Sequence, residues 1–132
     1  MNKPMVFALA FATLSGTAVT SSAASMSGSE IGRVFAGNTI EWVSLKKKPM
    51  SPRWKPPYGR TYFSPNGTME GTLKGKSRSG TWRIDGNQLC LNWKQEKCRD
   101  LEPDGGGGYY IVNREKGKRG VHIKRVLQGK QL

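Results

Sequence analysis

Asp100 and Glu102 stand two residues apart in a strand-like segment, so both side chains project to one face. A paired acid and nucleophile of this kind could cleave a glycosidic bond. The chain carries 22 Lys and Arg against 9 Asp and Glu, and in so basic a protein the pair reads instead as two solvated surface acids. His122 is the only histidine. It lies in an alternating segment, on the face opposite Val121 and Ile123. A general base needs partners within hydrogen-bond reach, and no Gly-x-Ser-x-Gly elbow supplies a nucleophile for it. Gly71-Thr-Leu-Lys-Gly-Lys-Ser77 imitates a phosphate loop. It has three residues between its glycines where four are required, and no helix follows to present its N-terminus to a phosphate. Gly105 to Gly108 is a run of four glycines, which is a flexible turn. No catalytic residue and no cofactor is therefore expected, and the chain reads as a non-enzymatic protein.

Cys90 and Cys98 are the two cysteines. They do not form a CxxC redox motif, and with one histidine they do not make a zinc site; no metal is expected. In an oxidising compartment an even count reads as a disulfide. The loop it closes would contribute about 2.5 kcal/mol in the chain-entropy model. If residues 94–97 form a tight turn, Cys90 faces Leu101 rather than Cys98, and the bridge needs a bulge or a wider turn.

The strongest binding signal is Leu45-Lys-Lys-Lys-Pro-Met-Ser-Pro-Arg-Trp-Lys-Pro-Pro-Tyr-Gly-Arg60. Lys46, Lys47, Lys48, Arg53, Lys55 and Arg60 offer cations to phosphate or carboxylate groups. Trp54 and Tyr58 offer rings that stack on a sugar or sit at a lipid headgroup interface. The prolines bar the segment from a helix or a central strand. They also keep it extended, so that ordering it on a ligand costs less entropy. A second cluster, Arg114, Lys116, Lys118, Arg119, Lys124 and Arg125, lies near the C-terminus.

The N-terminus decides which anion such cations would meet. Lys3 is followed by an apolar run from Val6 to Leu14, then by small residues, with no further charge before Glu30. This is the pattern of a secretory signal. The run is too short to span a bilayer, which takes about 20 residues. Residues 1–24 are expected to be the signal peptide, and residues 25–132 a single domain with a basic loop at 46–60. Only Lys3 of the 22 cations lies in the leader, which leaves 21 against 9, or +12. A periplasmic or secreted protein of that charge meets anionic lipid, lipopolysaccharide and polysaccharide rather than nucleic acid. Peripheral contact with a membrane is compatible with this charge.

The domain that holds these residues reads as all-β. Ser27-Gly-Ser-Glu30 matches a capping box. Ile31, Val34 and Phe35 form one apolar stripe, and Gly37 is a stop. Beyond it the period changes. Eight short strands are expected: 39–45, 60–64, 68–73, 80–84, 88–93, 98–102, 109–113 and 121–127. Ser64-Pro-Asn-Gly67, Lys74 to Ser79 and Asp85-Gly86 carry turn chemistry. Short connections between many strands predict a small antiparallel meander barrel or sandwich. The expected core is Ile31, Phe35, Ile40, Trp42, Phe63, Leu73, Trp82, Ile84, Leu89, Leu91, Trp93, Leu101, Tyr110, Val112 and Ile123. The tail from Gln128 to Leu132 is expected to be loose.

In order along the chain come Gly37-Asn-Thr39, Tyr62-Phe-Ser-Pro-Asn-Gly-Thr68, Gly80-Thr-Trp-Arg-Ile-Asp85, Leu89-Cys-Leu-Asn-Trp93 and Cys98. This series resembles a group of small exported proteobacterial domains that have no assigned function. The resemblance covers residues 27–112. It implies a disulfide-bonded β domain outside the cytoplasm and carries over no catalytic residue. The basic segment 46–60 is not part of the shared pattern.

Three functions compete on these residues. The first is a binding protein for an anionic cell-envelope component, through the basic aromatic loop. The second is an inhibitor or interaction module for an exported protein. The third is a lipocalin-like carrier of a small apolar ligand inside a closed barrel.

Overall fold

A computed structural model of the chain describes residues 24–46 and 53–132. The signal-peptide reading therefore rests on residues that, Ala24 apart, lie outside the described part, and so do Lys47 and Lys48. The remainder is a closed barrel in which eight antiparallel strands follow one another in sequence order. The strands are β1 (Asn38–Ser44), β2 (Tyr58–Phe63), β3 (Thr68–Leu73), β4 (Lys76–Asp85), β5 (Gln88–Asn92), β6 (Glu96–Pro103), β7 (Tyr109–Asn113) and β8 (Lys118–Gln128). β8 pairs with β1, from Asn38 opposite Gln128 to Ser44 opposite Val121, so no strand edge is left open. Of the two architectures compatible with the sequence, the barrel is the one formed.

One helix, α1 (Gly28–Phe35), precedes the barrel. The Ser27 side chain caps it by accepting from the Glu30 backbone N–H at 3.2 Å. The Glu30 carboxylate answers by accepting from the Ser27 hydroxyl rather than from its backbone N–H. Two turns of helix are not stable alone. α1 is held by Ile31 and Phe35, both fully buried, and by Gly28, whose N–H donates to Asn87 Oδ1 at 2.9 Å. A Cβ at Gly28 would collide with the Gly86 carbonyl oxygen, so only glycine allows the helix to dock so closely on the β4–β5 turn. Gly37 N–H donates to the Phe63 carbonyl at 2.7 Å. The helix thus covers the end of the barrel that carries the β2–β3 and β4–β5 turns. The end of β1, the start of β2 and the β3–β4, β5–β6 and β7–β8 turns lie at the other end.

Two turns show how the sequence sets the meander. Asn66 Oδ1 accepts from both the backbone N–H and the hydroxyl of Thr68, at 3.0 and 2.7 Å. Gly67 takes φ +93°, and Trp82 Nε1 donates to the Ser64 carbonyl at 2.8 Å. The Tyr62–Thr68 and Gly80–Asp85 segments of the shared pattern therefore serve one structural joint. At the β3–β4 turn, Lys74 and Gly75 both have positive φ, 51° and 80°. That is the two-residue hairpin geometry which matches strand twist.

Inside, Phe63 packs edge-on against Phe35 and Trp82, with centroids 5.9 and 5.5 Å away. Met26, Met69 and Ile111 join the core. None of the three belongs to the core expected from the sequence. In β7 the inward residues are Tyr109 and Ile111, not Tyr110, which stacks on His122 at 4.7 Å. Val112 is buried but outside the central cluster. The tail is not loose. Thr39, fully buried, donates its hydroxyl to the Gly129 carbonyl and accepts from the Gln131 N–H, at 2.7 and 2.9 Å. Lys130 pairs with Glu70 at 2.6 Å.

Cys90 and Cys98 are bonded. They sit directly opposite each other, between the Leu89–Arg99 and Leu91–Lys97 pairs. β6 begins at Glu96, so the turn spans residues 93–95 and the expected mismatch of register does not arise. No bulge is needed. A disulfide is what an oxidising compartment preserves. Among the described residues, no helix is long and apolar enough to cross a membrane.

Candidate functional site

Two places on the barrel combine cations with aromatic surface. The first is an outer groove of about 750 Å³, bordered by β8, β1, β2 and the end of the basic loop. Lys55 and Tyr58 enter it from the loop side, Arg60 from β2, and Lys124 and Arg125 from β8. Tyr58 is 62 % exposed, and Lys55 and Lys124 are exposed as well. The loop proper ends at Pro57, whose carbonyl accepts from the Ser44 N–H at 2.7 Å. Tyr58 and Arg60 are therefore residues of β2, held by its pairing to Val43 and Glu41.

One carboxylate crosses this groove. Glu41 Oε2 accepts from Arg125 Nε and Nη2 at 3.1 and 2.9 Å, and from Arg60 Nη2 at 3.4 Å. Arg125, with help from Arg60, holds the Glu41 carboxyl below its ordinary range. Arg60 also donates to the Gln131 carbonyl at 2.8 Å. A single negative charge shared by two guanidiniums leaves the groove net positive, and it fixes both planes. Of the other residues expected to bind, Lys46 and Arg53 are exposed and Trp54 is half-buried.

The second cation cluster divides. Lys124 and Arg125 join the groove, whereas Arg114 and Arg119 turn to the β6 carboxylates. Arg114 Nη2 meets Asp100 Oδ1 at 2.7 Å, and Arg119 meets Glu102 at 3.5 Å while lying 4.3 Å from the Tyr110 ring centre. Asp100 and Glu102 are thus each held in an arginine pair. Nearby, His122 Nε2 lies 2.8 Å from Asp104 Oδ2. An ionised carboxylate only accepts, so Nε2 carries the proton. Asp104 Oδ1 also accepts from the Gly106 and Gly108 N–H groups, at 2.7 and 2.9 Å. The His122 hydrogen bond and then these N–H groups hold the Asp104 carboxyl below its ordinary 3.8.

That arrangement has a measurable consequence. A carboxyl depressed by folding stabilises the native state above its unfolded value, and this contribution is lost as pH falls through the folded one. Asp104→Asn keeps an acceptor for the glycine N–H groups but carries no charge. The stability gap between wild type and Asp104→Asn in urea unfolding is expected to narrow as pH drops below about 4. A gap that stays constant from neutrality into strong acid would contradict the assignment.

The second place is inside the barrel, at the end away from α1. The carrier reading expects an interior cavity, but the core expected from the sequence does not include Arg78. A cavity of about 120 Å³ is lined by Ile40, Trp42, Thr61, Leu91, Trp93 and Arg78, with Phe63, Ile111 and Val121 completing it. β4 begins at Lys76, four residues before the expected strand, and its alternation continues inward through Ile84, Trp82, Gly80 and Arg78. The segment expected to be a polar turn is therefore mostly strand. Arg78 Cζ lies 3.8 Å from the Trp93 ring centre and 5.7 Å from that of Trp42. Trp42 Nε1 donates to Thr61 Oγ1 at 3.2 Å, which fixes its indole. The Trp93 indole runs across two inward glycines. A Cβ on Gly71 or Gly80 would come within 3.1 Å of it. Burial pulls the Arg78 guanidinium below its ordinary value, yet arginine stays protonated at neutral pH.

Among the described residues, the one grouping of metal-ligand type is Cys90, Glu96 and Cys98. It is the disulfide with a neighbouring acid, and bonded sulfurs are not thiolate ligands. The architecture is thus a disulfide-bonded eight-stranded meander barrel with a basic outer groove and a small apolar interior site. No family model, no curated protein and no solved structure matches the chain.

Proposed function

We propose that this is a non-enzymatic binding protein of the periplasm or the cell exterior, and that its ligand is an anionic component of the cell envelope. The reading is supported by one observation above all. Lys55, Arg60, Lys124 and Arg125 come from opposite ends of the domain and border one groove with the exposed ring of Tyr58. Convergence of this kind concentrates positive potential where a phosphate or a uronic carboxylate can dock. An exposed phenol beside such cations adds a surface for a sugar ring or a headgroup. The leader-like N-terminus and the disulfide favour a compartment where those anions are abundant.

The test uses the leaderless, oxidised protein and vesicles of phosphatidylglycerol in phosphatidylcholine, with lipopolysaccharide as a second probe. Binding is expected to weaken steeply between low and physiological salt, because exposed charges are screened beyond a Debye length of about 8–10 Å. Each lysine near an anionic surface contributes about 1 kcal/mol. Lys55→Ala with Lys124→Ala should therefore bind about ten- to thirtyfold more weakly at unchanged stability. Binding indifferent to salt, or no binding to either probe at low salt, would overturn the proposal.

A further inference from the structure

The interior cavity shares only Trp42 with the outer groove and holds a cation of its own. Every residue that lines it is apolar or aromatic except Thr61 and Arg78. Thr61 Oγ1 accepts from the Trp42 indole, and its O–H is a further polar donor in the lining. Arg78 has no carboxylate beside it in the lining, and its buried Nε has no hydrogen-bond partner among the described residues. A guanidinium stacked on an indole uses its face for that contact. Its five N–H donors lie in its plane and remain available to an acceptor. Stacking on Trp93 leaves Nε unsatisfied, and a buried donor left in that state is a defect that native proteins rarely tolerate.

The position of Arg78 is also built rather than incidental. Gly71 and Gly80 clear the space for the Trp93 indole on which it rests, and Thr61 orients the other indole. Lys97 pairs with Leu91 on the same face of the sheet and is exposed at the rim. This second cation would favour entry of an anion. A cavity of about 150 Å³ admits one benzene ring, so this one suits an apolar group of about four to six carbons.

We infer that the cavity between Trp42, Trp93 and Leu91 is a binding site for a small organic carboxylate, whose oxygens are received by Arg78 and whose short apolar tail fills the barrel. The carboxylate would accept from the in-plane guanidinium N–H groups, Nε–H included, as a bidentate acceptor does. The tail would exclude water from the apolar wall. The site distinguishes a carboxylate from an alcohol or an amine of equal length, because only the anion complements the half-buried cation.

Sodium hexanoate, 1-hexanol and hexylammonium chloride, each titrated into the oxidised protein, test this through tryptophan emission and calorimetry. Trp42 and Trp93 flank the site and report directly. Hexanoate is expected to bind saturably with one site per chain, and the alcohol and amine at least tenfold more weakly. Arg78→Met, which keeps most of the side-chain volume, should weaken hexanoate at least tenfold and leave hexanol unchanged. Arg78→Lys should recover part of the loss. Thermal unfolding and near-ultraviolet circular dichroism of each variant establish that the barrel is intact, and Lys97→Ala serves as a milder second probe if Arg78→Met fails to fold. Non-saturable hexanoate binding, equal affinity for hexanol, or hexanoate affinity indifferent to the cation replaced would overturn the inference. Because Lys55→Ala with Lys124→Ala leaves this cavity untouched, the two sites succeed or fail separately.

Discussion

Phe63→Ala is expected to lower the unfolding free energy by about 3–5 kcal/mol, the range for truncating a buried aromatic residue. Phe63 is fully buried, and the loss reaches further than its own area. Its ring meets Phe35 of the covering helix and Trp82 of β4 edge-on, and each such pair adds about 0.5–1.5 kcal/mol beyond burial. Its carbonyl receives the Gly37 N–H at the exit of the helix. Truncation leaves a void where helix, β2 and β4 meet, and only Ile31 and the Gly28–Asn87 bond then keep their full hold on the helix. A domain of this size has about 5–15 kcal/mol in total. The variant should show a much lower urea midpoint and early loss of near-ultraviolet tryptophan signal. Phe63→Leu, which fills most of the volume, should recover a large part of the loss. A Phe63→Ala cost below about 1 kcal/mol would mean that the helix does not depend on this contact.

Replacing Cys90 and Cys98 with alanine is the second large effect. The bridge closes a short loop, for which the chain-entropy model gives about 2.5 kcal/mol, and removal from small exported domains costs about 2–5 kcal/mol. The pair joins directly opposed residues of β5 and β6, so it also locks a register that one slip would invert. Cys90 is nearly fully buried and Cys98 half-buried, which leaves reductant only the Cys98 sulfur to attack in the folded state. Under mild conditions dithiothreitol should act slowly on the native protein and fast once urea is added. The double variant should unfold at a lower denaturant concentration and bind hexanoate normally when folded. An unchanged midpoint would show that the hairpin holds its register without the bond.

Much of this architecture can be read from residue order. The Ser27 cap, the Ser64-Pro-Asn-Gly turn and the number of strands follow from local chemistry, which the folded state keeps. What escapes is what depends on phase or on distant parts of the chain. In Tyr109-Tyr-Ile-Val every position is apolar or aromatic, so a two-residue period has no phase to read, and the expected inward Tyr110 faces outward while Tyr109 faces in. Lys76 to Ser79 looks like a turn because a short barrel tolerates a cation at an inward position near its rim. The continuation of the alternation from Ile84 and Trp82 through Gly80 to Arg78 was the available signal, interrupted by a residue without a side chain. The fixed tail has no apolar residue before Leu132. Its anchors are hydrogen bonds to Thr39 and Asn38, about ninety residues earlier, which no local pattern discloses. The meeting of Lys124 and Arg125 with Arg60 is likewise a product of closure.

That closure, β8 laid against β1, also sets a timetable for biogenesis. The first strand made must wait for the last before its second row of hydrogen bonds can form. Pairings this remote in sequence slow folding, because chain entropy is spent before the contact is gained. The seam can therefore close only after the last strand has been made. Truncation at Lys118 should leave an open, adhesive sheet that aggregates or is degraded, whereas a circular permutant with β8 fused ahead of β1 should move the seam to the β7–β8 pairing rather than remove it, and should refold at a similar rate.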